Sequence, residues 1–314
     1  MILVCGEALV DLVPASCGGE SGYLARAGGS PYNVAVGLGR LGVPVGFFGR
    51  VSDDPFGQML RDRLVASNVA TTFLRTGPEP TTLAVVHLEP GEEPQFAFYG
   101  DGTADRTLLP ADLPPAFPDS VAALHFGSIS LVREPAASTF EMCMRREHDL
   151  GRVISLDPNV RPSLVGDGDA YRRRLSVWLS AADIVKVSRA DLAWLHPGQA
   201  PEDVARLWLG LGPALVVVSK GRDGAAAYGA SATASAAAIP VEVADTVGGG
   251  DAFTSGLLAR LSELNLLDRP RLANLTGPTL ADCLEQANRV AALTCRRTGA
   301  EPPTRSELES LRLS

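Results

Sequence analysis

The chain is predicted to be an α/β protein with a mainly parallel central sheet, helices on both faces of that sheet, and a small separate β-sheet. Two observations predict the main layer. Short apolar runs rich in β-branched residues recur along the 314 residues, and amphipathic stretches long enough to serve as crossovers fall between most of them. A third observation predicts the small sheet: two segments break that rhythm with strand-like alternation and turn residues.

Taken in order, buried strands are expected at residues 2–5, 45–48, 121–126, 153–156, 184–187 and 215–218, each apolar enough to be covered on both faces. Helices are expected at 33–41, 56–67, 136–150, 171–179, 201–209, 252–264 and 280–298, where apolar residues recur at helical spacing. Residues 13–27 and 81–99, the latter turning around Glu89-Pro90-Gly91-Glu92, read as strands and a hairpin. They form either a separate small sheet or an antiparallel edge to the main one. The alanine-rich stretch 225–238, broken by Gly229, Ser231, Thr233 and Ser235, reads as strand and turn. In such a fold the active site belongs at the carboxyl ends of the strands.

Composition narrows the classes. A chain with 46% hydrophobic residues can bury a full core. A formal charge of −8 and a pI near 5.1 argue against general nucleic-acid binding, and the densest basic run, Arg172-Arg173-Arg174, falls on a solvated helix face. Five cysteines without Cys-x-x-Cys pairing fit a reducing cytoplasm better than a disulfide framework. The N-terminus starts on an apolar strand without a basic leader, and no apolar run reaches the ~20 residues that span a bilayer, so no export or membrane association is expected. Four histidines lack metal-ligand spacing. Gly37-x-Gly39-x-x-Gly42 matches a dinucleotide fingerprint by count only, because it lies late in a helix and not between strand and helix.

The most informative segment is Asp245-Thr246-Val247-Gly248-Gly249-Gly250-Asp251-Ala252-Phe253. Three glycines at the mouth of a helix let the amides of Gly248, Gly249 and Gly250 converge as an anion hole, reinforced by the helix dipole. Asp251 then stands where a base would accept a hydroxyl proton during phosphoryl transfer. Read alone, the same residues also suit a flexible turn with Asp251 as a cap.

This run resembles the C-terminal signature of the ribokinase-like (PfkB-type) carbohydrate kinases, with Gly249 where alanine is commoner. Further family-like pieces follow in order along almost the whole chain: Gly6-Glu7-Ala8-Leu9-Val10-Asp11, Gly28-Gly29-Ser30-Pro31-Tyr32-Asn33, Gly49 to Gly57, Asp157-Pro158-Asn159-Val160-Arg161, Ser219 to Gly224 and Ala287-Asn288. Within the family the chain is most similar to the bacterial fructokinases. The resemblance implies a single ribokinase-like domain over residues 1–314, with a discontinuous lid at about 12–27 and 71–104. It also implies a sugar site at Asp11, Gly28, Gly29, Asn33 and Phe98 with Asp251, and Arg161 near the transferring phosphoryl group. ATP is implied at Lys186, Ser188, Ser219, Gly221, Gly224, Gly250 and Asn288. A monovalent cation such as K⁺ is implied near Asp245, Val247, Thr294, Arg297 and Gly299, and Mg²⁺ is implied with the nucleotide.

Residue chemistry agrees with several of these assignments. An ionised Asp11 only accepts hydrogen bonds and suits two adjacent sugar hydroxyls, although a turn cap is an equal reading of that residue alone; Asn33 both donates and accepts. The fork of Arg161 suits phosphate oxygens, with a surface salt bridge as the other reading. Lys186 reads either as a phosphate-facing charge or as an exposed strand end.

Two departures from the family pattern stand out. Ser188-Arg189-Ala190-Asp191 replaces the Asn-x-x-Glu usually linked to Mg²⁺. Gly100 follows Phe98-Tyr99 where sugar-acid kinases carry an arginine, which favours a neutral sugar. The leading expectation is a kinase acting on a primary hydroxyl of a neutral ketose, fructose to fructose 6-phosphate. The alternatives are a ribose, nucleoside or 2-keto-3-deoxygluconate kinase, or a catalytically weak sugar sensor on the same fold. A homodimer through the lids is a further expectation, since an uncovered small sheet is a pairing hazard.

Overall fold

A computed structural model describes residues 1–87 and 95–310. In chain order it contains β1 (Ile2–Cys5), β2 (Leu9–Cys17), β3 (Glu20–Gly28), α1 (Ser30–Arg40), β4 (Val45–Ser52), α2 (Pro55–Ala66), β5 (Val69–Ala70), β6 (Leu74–Gly77), β7 (Leu83–His87), β8 (Gln95–Tyr99), β9 (Ala123–Gly127) and α3 (Ala136–Asp149). It continues with β10 (Val153–Asp157), α4 (Gly168–Ala181), β11 (Ile184–Ser188), α5 (Arg189–Leu195), α6 (Pro201–Leu209), β12 (Leu215–Ser219), β13 (Ala225–Gly229), β14 (Thr233–Ala236), α7 (Gly249–Glu263), α8 (Arg269–Leu272), α9 (Gly277–Cys295) and α10 (Arg305–Ser310).

The main sheet runs β14-β13-β12-β11-β10-β9-β1-β4-β5, with β6 also on β4. From β12 to β5 the pairings are parallel, as helical crossovers require; β13 and β14 add an antiparallel edge. Period-two alternation sorts its residues between two cores. Ile2 and Val4 of β1 face one cluster with α1, α2, α7 and α9, whereas Leu3 and Cys5 face another with Phe140, Trp178 and Trp208 of α3, α4 and α6. The central strands are buried on both sides, mostly by apolar residues, with His125, Ser155 and Lys186 as buried polar exceptions.

The second sheet is separate and four-stranded, in the order β3-β2-β7-β8. β2 pairs antiparallel with β3 from Leu9↔Gly28 to Cys17↔Glu20 and parallel with β7, while β7 and β8 pair antiparallel. The expected hairpin turn at Glu89-Pro90-Gly91-Glu92 lies outside the described residues.

Local chemistry moves several boundaries. Leu9 and Val10 open the second sheet and do not prolong β1. Helix α1 starts at Ser30, since Pro31 in its first turn needs no amide partner. Helix α9 starts at Gly277 because Thr276 caps it and Pro278 follows. Residues 74–77, inside the expected lid span, pair with β4 of the main sheet. Helix α7 begins at Gly249, so the glycine loop is its first turn.

Candidate active site

At the carboxyl edge of the main sheet the first turn of α1 faces the first turn of α7. Asp251 is buried between them. Its Oδ1 accepts from Ser30 Oγ at 2.7 Å and its Oδ2 from Asn33 Nδ2 at 2.9 Å. Burial raises the pKa of Asp251, while these two donors and the nearby Lys186 ammonium oppose the rise. Asn33 Oδ1 is buried without a partner, an acceptor left open beside the carboxylate.

Gly248 caps α7 at φ 73°, and a Cβ there would stand 2.5 Å from that of Ala300, so the bend admits only glycine. Of the three glycine amides expected to converge, one is engaged within the loop. The Gly249 amide donates to Thr246 O at 3.1 Å, closing the turn. Gly250 and Asp251 supply first-turn amides that have no carbonyl one turn earlier in the helix. The Cys295 thiol lies 3.0 Å from where an alanine Cβ would be at position 249, which accounts physically for glycine there.

A cleft of about 400 Å³ opens in front of Asp251, lined by Leu9, Asp11, Gly29, Asn33, Phe98, Ile129, Asn159, Arg161 and Gly248, among others. Gly28 lies just behind it: a Cβ there would meet Asp11 Oδ2 at 2.2 Å, so its absence makes room for the carboxylate. Burial, then the Asp251 charge, push the pKa of Asp11 up to about 7, against the pull of Arg161. Among the described lining residues Arg161 is the one cation, facing Glu7, Asp11 and Asp251.

Arg161 is set by Asn159, whose Oδ1 accepts from its Nη1 at 2.6 Å. Asn159 takes φ 38° after the turn at the end of β10, which folds its side chain back toward α1. Lys186 lies beneath the loop as a buried cation, paired with Asp157 Oδ2 at 2.8 Å. Burial opposes its charge, yet the Asp157 carboxylate, together with those of Asp191 and Asp251, more than offsets that, so its pKa is raised. It lines neither pocket, and its ammonium sits 3.3 Å from the Cβ position of Gly250.

A second pocket of about 520 Å³ adjoins the first. Ser219, Gly221, Gly224, Gly250 and Asn288 line it, with apolar walls from Ile239, Val241, Val243, Phe253, Ala291 and Ala292. Thr246 and Gly250 belong to both pockets, so the loop ahead of Asp251 is their shared wall. Asn288 Nδ2 donates to Ala237 O at 3.0 Å and holds the end of β14 against α9. Ser188 is elsewhere: it caps α5, bonding Asp191 reciprocally, while Asp191 Oδ1 accepts from Val160 N at 3.1 Å. In this chain the Ser188/Asp191 pair ties α5 to the loop that carries Arg161.

The residues suggested for a monovalent cation are brought together from two segments. Asp245 Oδ1 accepts from Val247 N at 3.0 Å and its Oδ2 from Gly299 N at 2.8 Å, and Cys295 O accepts from Ala244 N at 2.8 Å. Thr294 Oγ1 bonds back to Val290 O, and Arg297 turns to Glu307.

The sequence motifs contain Glu7 and Ser30 with no role for either, and Asn159 only as a residue that shapes the loop of Arg161. Glu7 is buried with its carboxylate on Ser30 N at 3.1 Å and on Ser130 N and Oγ. Burial lifts its pKa to about 7 despite those hydrogen bonds. The signal available was a carboxylate directly after a glycine at a strand end. At Gly100, a Cβ would stand 2.3 Å from Arg106 Nη2, so Arg106 fills the space over that residue. No residue from 100 to 106 is among those lining the cleft.

The family model of pfkB family carbohydrate kinases matches residues 1–307. The chain belongs to the pfkB family. Among curated members, a fructokinase from Rhizobium leguminosarum bv. trifolii is 42% identical over 281 residues, 89% of this chain and 85% of that protein. Among solved structures, a fructokinase with bound ATP from Xylella fastidiosa superposes at TM-score 0.89 with 31% identity, covering 99% of this chain and 97% of that one. A double-mutant fructokinase from Vibrio cholerae O395, in a fructose, ADP and potassium ion bound form, does so at 0.85 with 31% identity, covering 98% and 97%. Like these pfkB proteins, the chain is a ribokinase-like α/β fold and a sugar phosphotransferase. Among the described residues no helix is long and apolar enough to cross a membrane.

Proposed function

We propose that this chain is an ATP-dependent fructokinase that transfers the γ-phosphoryl group to a primary hydroxyl of fructose. The observation that carries the reading is the carboxylate of Asp251 in a polar cleft, directly after the Thr246 and Gly250 wall that the cleft shares with an apolar pocket. The cleft is sugar-sized and the pocket offers apolar faces to a nucleotide base. Between them lies a helix N-terminus suited to the transferring phosphoryl group. Asp251 takes the hydroxyl proton, the first-turn amides of α7 stabilise charge on the phosphoryl oxygens, and Arg161 approaches from the opposite wall. Asp11 and the open Oδ1 of Asn33 accept from sugar hydroxyls. A neutral sugar fits best, because a sugar acid would bring its carboxylate against Glu7, Asp11 and Asp251 with Arg161 as the sole counter-charge.

Mg²⁺, bound with the nucleotide, would supply neutralising charge to its phosphates. It would be held largely through those phosphates, with no group of three or more His, Cys, Asp or Glu side chains among the described residues placed to hold a metal ion. The Asp245 loop, closed against the end of α9, is the proposed K⁺ site: one carboxylate and several backbone carbonyls offer oxygen ligands to a hard cation. The second sheet is the proposed lid, with Phe98 over the sugar. It exposes Tyr23, Leu24 and Tyr99, on which a homodimer is proposed, and a monomer by sedimentation at micromolar concentration would exclude it.

One set of assays tests the reading. Purified protein is offered ATP with fructose, ribose, adenosine or 2-keto-3-deoxygluconate, in K⁺ or in a large organic cation at matched ionic strength. Fructose is expected to give the highest kcat/KM and K⁺ to stimulate it. Preference for another acceptor would overturn the substrate, no transfer to any acceptor would overturn the kinase reading, and equal rates in both salts would remove the cation site.

A further inference from the structure

We propose that Ser30 is a positioning residue of this active site, its hydroxyl tying the carboxylate of Asp251 to the Asn159–Arg161 arm. This rests on the reading of Asp251 as the base. The direction of every proton in the chain follows from donor chemistry. A guanidinium only donates, so the oxygen of Asn159 faces Arg161, at 2.6 Å. The amide nitrogen of Asn159 then faces Ser30 Oγ, at 2.7 Å, and donates to it. With its oxygen accepting, the Ser30 hydroxyl sends its own proton to Asp251 Oδ1, at 2.7 Å. The base and the phosphoryl-side cation are therefore oriented by one unidirectional chain of three hydrogen bonds. Ser30 is itself held: it is buried at the first turn of α1, and its amide donates to Glu7 Oε1 at 3.1 Å.

A donor on the ionised carboxylate favours that form, so Ser30 keeps Asp251 ready to accept a proton. Other charges face Asp251 as well: Asp11 from β2, Asp157 from β10, Lys186 from β11, Arg161 beyond β10, and Glu7 behind Ser30. Asp11, pushed up to about 7, titrates as well, so the test removes it as a variable.

The experiment measures the pH profile of fructose phosphorylation in the intact enzyme and in Ser30→Ala, Ser30→Thr and Asp251→Asn, with the Ser30 variants repeated in an Asp11→Asn background. Ser30→Ala deletes one oxygen, and circular dichroism checks that it folds. Loss of the donor is expected to move the acidic limb to higher pH by about one unit. The hydroxyl of Ser30→Thr is expected to return it, and the shift is expected to persist with Asp11→Asn. An unmoved limb in folded Ser30→Ala, beside an inactive Asp251→Asn, overturns the role of Ser30 alone. Near-normal turnover in Asp251→Asn overturns the base and this inference with it.

Discussion

The two pockets that share Thr246 and Gly250 are built on opposite principles. The cleft before Asp251 gathers its lining from six separate stretches of the chain: residues 7–11, the start of α1, Phe98, Ser128 and Ile129, the loop after β10, and the loop that leads into α7. Within it Asp251, Ser30, Asn33, Asn159 and Arg161 are joined by hydrogen bonds, and the Asp251 charge adds to the burial that raises Asp11. The adjoining pocket draws its lining from residues 219–295, chiefly backbone and small apolar side chains. The difference teaches where discrimination resides. A network of directed donors and acceptors rejects the wrong hydroxyl pattern, because a mismatch leaves buried polar groups unpaired. An apolar slot over glycine amides accepts a nucleotide by shape and by phosphate charge.

If the contrast holds, damage to each pocket stays in that pocket, except at their shared wall. Asp251→Asn is the largest effect expected. The amide keeps the shape of the carboxylate but cannot take the proton, so turnover falls about 10²- to 10⁴-fold. Calorimetric affinities for fructose and ATP stay near those of the parent. Loss of either affinity by a comparable factor would mean that Asp251 mainly binds. Next in size is Ala291→Phe on α9, which fills part of the apolar pocket with a phenyl ring. The KM for ATP is expected to rise tens of fold or more, with the fructose affinity of the nucleotide-free protein unchanged. A matching loss for fructose would show that the pockets are not separable.

How much of this was legible in the sequence follows from the same contrast. The parallel core was legible because its strands are apolar on both faces, and Ile2–Cys5 carries that signal in four consecutive residues. The second sheet was legible from alternation, but the start of its first strand was not, since Leu9 and Val10 look like any buried run until pairing assigns them. Asp251 and the glycines announced themselves because the motif is contiguous. The bridge from Arg161 through Asn159 and Ser30 did not, because its members lie 129 and 221 residues apart in their contacts and each is a common turn or cap residue. Nor did burial: nothing in the order of residues says that Lys186 would be withdrawn under the loop onto Asp157, or that Ser188 and Asp191 would spend their hydrogen bonds on each other.

The smallest expected effect separates the pockets by pH. In the ligand-free protein burial and the Asp251 charge hold Asp11 at about 7, against an ordinary 3.8, and burial holds Glu7 at about 7, against 4.5. Between the ordinary and the raised values the native state keeps protons that the unfolded chain has lost. Ligand-free stability contributed by these two groups therefore falls as pH rises across that window. Fructose reverses the preference at Asp11, because two hydroxyl donors favour its ionised form. The fructose dissociation constant is thus expected to be roughly fourfold weaker at pH 6.5 than at pH 8, the factor set by the protonated fraction of a group titrating near 7. Calorimetry of fructose binding without nucleotide avoids the titration of ATP itself. Asp11→Asn is expected to bind more weakly at every pH and to lose the slope. A slope that survives in Asp11→Asn would assign the titration to Glu7, and a flat profile in the parent would mean that Asp11 is already ionised in the free cleft.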